Sequence, residues 1–126
     1  MAREILRTDK APASPLYAQG TRKGSHIVVS GMVGIDVTTG RLAGPSVQEQ
    51  TRQAVANCAA VLEAGGATLD DVLEVGILLA DPDDFAGMNE AWAELFPTDA
   101  PARYAAKLGA VIEGVRISVR MTAVTS

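Results

Sequence analysis

From Val115 to Ala123 the chain alternates without a break. Val115, Ile117, Val119, Met121 and Ala123 are apolar, while Arg116, Ser118, Arg120 and Thr122 between them are polar. Successive side chains of a strand point to opposite faces, so a period of two describes a strand with one buried face and one polar face. Such a strand needs a sheet beside it and another layer over its apolar side.

The covering layer is legible upstream as two helices. Ser46 with Glu49 three residues on forms a capping box, and Val47, Ala54, Val55, Cys58, Val61 and Leu62 follow a 3.6-residue rhythm. Gly65-Gly66 stops it. Asp81-Pro82-Asp83-Asp84 is a second start, with an Asp cap and Pro at the first position. There Phe85, Met88, Trp92, Leu95 and Phe96 form one apolar stripe. Asn89 sits beside that stripe, where periodicity alone makes it a helix-surface amide.

Further strands are predicted at Glu4–Arg7, Leu16–Arg22, His26–Gly31 and Arg103–Leu108. In the third, Ile27, Val28 and Val29 are consecutive and β-branched, which predicts burial on both faces. Leu69–Ala80 reads as a helical turn that becomes a strand through Val72, Val75, Ile77 and Leu79; residues 36–44 read as a turn-rich loop. The order β-β-β-α-β-α-β-β predicts an α+β fold, two helices on one face of a mixed sheet. With no repeat, low-complexity stretch or linker, residues 1–126 are expected to form one domain.

Of these residues 48% are hydrophobic but only 4% aromatic, so small aliphatic side chains fill the core. A core of so little bulk favours association with further copies. The net charge of −4, with no Lys/Arg cluster, argues against nucleic acid as the main partner. Arg3, Arg7 and Lys10 read as solvated surface. Cys58 is the only cysteine, which excludes an intramolecular disulfide, and its helical neighbours make it packing rather than a nucleophile. No apolar run has the shape of a signal peptide or the length of a membrane span, so the cytoplasm is the default expectation. With His26 as the only histidine there is no metal-ligand spacing, and a Ser-His-Asp triad would have to use it. Gly31-Met32-Val33-Gly34 opens no helix, which argues against a phosphate cradle.

One residue stands out chemically. Arg103 follows Asp99-Ala100-Pro101-Ala102, and Pro101 fixes its own φ and pushes Ala100 to extended geometry. A guanidinium leaving a stiffened loop offers two parallel donors matched to a carboxylate. Arg103 is therefore the candidate acid-binding residue.

Several phrases in order resemble the Rid family of reactive intermediate deaminases, also called the YjgF or endoribonuclease L-PSP family. They are Tyr17-Ala18-Gln19-Gly20, Ile27-Val28-Val29-Ser30-Gly31, the stretch Gln50 to Asn57, Asp81-Pro82-Asp83-Asp84-Phe85-Ala86-Gly87-Met88-Asn89, and Pro101-Ala102-Arg103. The resemblance implies a chorismate-mutase-like fold, a homotrimer around a central barrel, and clefts between subunits. It implies hydrolysis of small enamines and imines, such as 2-aminoacrylate, to 2-keto acids and ammonia without a metal or organic cofactor. Carried across, Arg103 grips the substrate carboxylate, Tyr17 lines the cleft, Ser30-Gly31 form its floor, and Asn89 stands near the site. Ala105 lies beside the water, where the family often has cysteine.

The family's last strand usually carries a glutamate, and an ungapped alignment from Pro101 puts Arg120 there. Losing that carboxylate removes the obvious general base, a role worth about 10²–10⁴-fold in rate. Arg120 either joins Arg103 in binding a dianionic acid, or pairs with an acidic neighbour or faces solvent. The first possibility motivates an alternative function, a non-deaminating binder of small carboxylates or dicarboxylates. Ribonuclease or translation inhibition, suggested by one family name, fits an acidic chain least.

Overall fold

A computed structural model describes residues 2–126. Its strands are β1 (Glu4–Leu6), β2 (Gly20–Lys23), β3 (His26–Val33), β4 (Ile35–Asp36), β5 (Arg41–Leu42), β6 (Val72–Leu79), β7 (Ala102–Lys107) and β8 (Ile117–Val124). Its helices are α1 (Val47–Ala64) and α2 (Phe85–Leu95). Six strands form one sheet in the order β1-β2-β3-β8-β6-β7, antiparallel except for the β6–β7 pair. The fold is α+β, with α1 against β3 and β8 and α2 packed on α1.

The alternation of β8 is realised residue by residue. Ile117, Val119, Met121 and Ala123 are buried beneath α1, while Ser118, Arg120, Thr122 and Val124 are half-exposed on the other face. α1 starts where its capping box places it: the Glu49 amide donates to Ser46 Oγ (3.1 Å), and the Ser46 amide to Glu49 Oε1 (3.3 Å). It ends before Gly66, whose φ of 80° favours glycine. Val47, Ala54, Val55, Cys58, Val61 and Leu62 are all buried on one side.

Three expectations need correction. β2 begins at Gly20 rather than Leu16, because Leu16 and Tyr17 are exposed and Gln19 spends its side chain on the preceding loop. β3 is not buried on both faces: Val28 is 40% exposed between buried Ile27 and Val29, so this run alternates like β8. The stretch 36–44 contains a strand of the small β4–β5 hairpin, turning at Gly40 with a φ of 72°.

Buried amides hold the irregular backbone. Gln50 Nε2 donates to the carbonyls of Gly44 (3.0 Å) and Gly114 (2.9 Å), and its Oε1 accepts from the Arg116 amide (2.8 Å). Asn57 Nδ2 donates to the carbonyls of Val33 and Ile35, where β3 ends. Each satisfies groups that no strand pairs, which keeps a buried polar residue from being a liability.

Candidate functional site

The strand order divides the candidate residues into two groups. The first sits on the edge strand β7. The chain enters it through Asp99, at a φ of 50°, and Pro101, so the turn before Arg103 is tightly defined. Arg103 pairs in register with buried Val75 and therefore turns toward the helix side of the sheet. There Nη1 donates to Asn89 Oδ1 at 2.7 Å and lies 3.5 Å from Met88 Sδ. The guanidinium carbon stands 5.0 Å from the Trp92 ring centre and 5.8 Å from that of Phe85. Phe85, Asn89 and Trp92 fall one turn apart along α2, so three consecutive turns present one surface to the arginine. Stacking on aromatic rings stabilises the cation while leaving its in-plane donors available. Among the described residues no carboxylate pairs with Arg103. Ala105, two residues along the same face, is exposed.

The second group surrounds an irregularity in β3. Val29 pairs with Met121 and Met32 with Val119, so Ser30-Gly31 oppose Arg120 alone. Two residues facing one is a β-bulge, which re-aims the bulged strand. Ser30 is fixed by its Oγ donating to the Ala18 carbonyl (2.6 Å) and its amide to the Gln19 carbonyl (2.8 Å). That brings Tyr17, 57% exposed, to the same corner. Gln19 anchors the corner in turn: Nε2 lies 2.9–3.0 Å from the carbonyls of Thr8, Ala11 and Pro12, and Oε1 accepts from the Thr8 amide (2.8 Å).

Arg120 belongs with the second group. It pairs in register with Gly76 and points away from the helices, 3.9 Å from Glu74. A methyl group at Gly76 would lie 2.6 Å from Tyr104 Cζ and 3.0 Å from Arg120 Cγ, so both side chains cover that glycine. Within one chain Arg103 and Arg120 therefore face opposite sides of the sheet. Within one chain they do not grip one dianion together: the register puts one on the phase of Val75 and the other on that of Gly76. Glu74 is the acidic neighbour of Arg120 within the chain, and both side chains are substantially exposed.

β3 and β7 are separated by β8 and β6, three strand spacings or about 14 Å. Arg103, Asn89 and Ala105 thus form one half of the candidate site, and Tyr17, Ser30, Gly31 and Arg120 another, and one chain does not bring them together. Phe85, Met88 and Trp92, which the sequence presents only as an apolar stripe of core residues, surround the Arg103 side chain. Ser118 was also missed; its Oγ is 3.0 Å from where a Gly31 Cβ would stand, beside the bulge. The i, i+4, i+7 spacing of Phe85, Asn89 and Trp92 was the available signal, but nothing in it says that an arginine faces them.

Cys58 takes no part. Its thiol is buried, donates to the Val119 carbonyl at 3.4 Å, and is pushed up to about 12 by desolvation. Among the described residues no cluster of three or more His, Cys, Asp or Glu side chains could hold a metal ion, and no helix is long and apolar enough to cross a membrane.

The sequence profile of the family described as Endoribonuclease L-PSP matches residues 8–125. The chain belongs to the Rid/YjgF family. A Rid-family relative, a RutC family protein of Pyrococcus abyssi, is 38% identical over 125 residues, 98% of each chain. The human 2-iminobutanoate/2-iminopropanoate deaminase is 34% identical over 98% of this chain and 91% of its own. Among solved structures, RidA from an Antarctic Psychrobacter superposes with a TM-score of 0.90 at 31% identity, covering 98% of this chain and all of the other. Escherichia coli TdcF, solved with bound serine, also gives 0.90 at 28% identity, over 98% and 99%. The imine deaminases among these relatives place the chain in a Rid family that includes that activity.

Proposed function

We propose that the protein hydrolyses small 2-imino acids and their enamine tautomers to 2-keto acids and ammonia, with Arg103 binding the substrate carboxylate. The observation that carries this reading is the state of Arg103: a guanidinium fixed by Asn89 at 2.7 Å and stacked near two rings, with no carboxylate paired to it among the described residues. A cation oriented in this way is prepared for an external carboxylate. Two further facts support it. A relative named as a 2-iminobutanoate/2-iminopropanoate deaminase is 34% identical, and a structural relative binds serine, itself a carboxylate-bearing molecule.

The reaction asks for little machinery. Water adds its oxygen to C2 of the imine, the C=N π pair moves to nitrogen, and the water proton follows it. The C2–N bond of the carbinolamine then breaks, the hydroxyl proton passes to nitrogen, and ammonia leaves as the carbonyl forms. One water is consumed and one ammonia released with no change in oxidation state. Arg103 holds the acid and draws electron density from C2, and positioning of this kind supplies much of a hydrolytic barrier reduction. The Tyr17 hydroxyl orients the attacking water.

This mechanism requires a second copy of the chain, because Tyr17 and Arg103 lie toward opposite edges of the sheet, and a closed homotrimer of the kind the family resemblance implies would supply it at every interface. In our reading the Tyr17–Ser30–Gly31 corner of one copy closes on the Arg103 edge of the next. The carboxylate-binder alternative needs Arg120 beside Arg103, which one chain does not provide; it would have to draw on the same meeting of two copies, with Arg120 freed from Glu74 at 3.9 Å. The test is a pair of substrates. A 2-imino acid generated in situ should hydrolyse faster than in buffer, while its methyl ester, which lacks the anion, should not. Equal acceleration of both would refute carboxylate recognition.

A further inference from the structure

The edge that presents Arg103 carries a second feature. Arg103, Ala105 and Lys107 pair with Val75, Ile77 and Leu79, so all three occupy the face of β7 turned toward α2. Beside them lies a hollow of about 400 Å³ lined by Leu79, Pro82, Phe85, Ala105, Ala106 and Lys107. Five of these six are apolar. Its volume lies near the lower end of the roughly 300–1,000 Å³ typical of small-molecule sites.

The hollow and the arginine share a wall. The Phe85 ring that stands 5.8 Å from the Arg103 guanidinium also lines the hollow. Ala105 is two residues beyond Arg103, a step of about 6.6 Å along a strand. A ligand whose carboxylate meets Arg103 can therefore send an aliphatic chain past Phe85 onto Ala105, whereas a methyl group stops short. The small side chain of Ala105 leaves that space open.

We propose that this hollow is the subsite for the substrate's side chain, and that it selects 2-imino acids with bulky apolar side chains, of leucine or phenylalanine size, over the alanine-derived imine. The proposal rests on the deaminase reading above. Burying one methylene changes a binding equilibrium by roughly fourfold, so a leucine-derived imine should exceed the alanine-derived one by more than about tenfold in kcat/KM. The one cation of the lining, Lys107, is exposed, so water screens it and an acidic side chain gains little there over an apolar one that fills the hollow.

Two measurements on the wild-type protein and its variants decide the matter. In the first, 2-imino acids are generated in situ from alanine, leucine, phenylalanine and glutamate by an amino acid oxidase, and acceleration over buffer is recorded. The leucine and phenylalanine imines should lead, and Ala105→Leu, which fills the hollow, should lower the leucine-to-alanine ratio at least tenfold. The second needs no turnover. Trp92 is the only tryptophan and its ring lies 5.0 Å from the Arg103 guanidinium, so its emission reports carboxylate binding. Affinity should rise from propanoate to 4-methylpentanoate, and the rise should vanish in Ala105→Leu and in Phe85→Ala. Deamination with no side-chain preference, or with the glutamate-derived imine preferred, overturns the subsite. Chain-length-dependent binding without any deamination upholds the subsite and overturns the deaminase reading; absence of both overturns the two together.

Discussion

Replacing Gln19 by methionine tests how the Tyr17 corner is held. The two side chains are close in volume, so the change removes hydrogen bonds while leaving the packing nearly intact. The amide has two hydrogens, shared among the carbonyls of Thr8, Ala11 and Pro12, and its oxygen accepts from the Thr8 amide. That amounts to three bonds, each worth about 1 kcal/mol net in a folded protein, or about 3 kcal/mol in all. The groups on Thr8 and Pro12 are only partly buried, so water recovers some of this and the expected loss is about 2–3 kcal/mol. Urea titration followed by Trp92 emission, at one fixed protein concentration, should show the midpoint falling by about 1–3 M for a slope near 1–2 kcal/mol per molar. Amide hydrogen exchange should quicken first in residues 8–19, the segment the amide anchors. A loss below about 0.5 kcal/mol with exchange unchanged there would refute the idea that Gln19 fixes this segment, and with it the account of how Tyr17 and Ser30 are positioned.

Gly34→Ala should cost more than about 2 kcal/mol in the same titration, because the new methyl would sit 2.6–2.7 Å from the backbone of Gln50, which cannot swing aside. Cys58, with its thiol pushed up to about 12 and no exposed surface, should resist maleimide at pH 8 in the native protein and react only as the chain unfolds; prompt labelling would contradict its placement. Mixing Tyr17→Ala with Arg103→Ala subunits by co-refolding should restore about a quarter of wild-type activity, since a randomly mixed ring contains interfaces that combine both intact halves. No recovery would mean that the two halves do not meet across a subunit boundary.

Local physics was legible in the sequence and long-range placement was not. Ser46 and Glu49 lie within one turn, so the capping box, and with it the start of α1, could be read directly. The β8 alternation likewise told which of its residues are buried. It did not tell where Arg120 points relative to Arg103, because that depends on register across β6, which pairs with both strands. The same ignorance hid the division of the site: strand order, unlike period, leaves no local trace. Leu16–Gln19 looked like the start of a strand since nothing in Gln19 announces that its amide is occupied by the carbonyls of residues 8–12. Val28 misled for a simpler reason, since β-branched residues suit either face of a strand. Arg103 was found because its chemistry and its proline-stiffened approach are both local; its aromatic surroundings come from α2 and required the fold.

In the function proposed above, imine hydrolysis rests on Arg103. That function is tested most directly by following 2-aminoacrylate, generated in situ, as it converts to pyruvate and ammonia with wild-type protein and with Arg103→Ala side by side. Acceleration over buffer is expected from the wild type, with a fall of at least about 100-fold in the variant, the loss typical of removing a charge-assisted contact to the reacting molecule. Equal rates in the two proteins, or no acceleration by either, would contradict it.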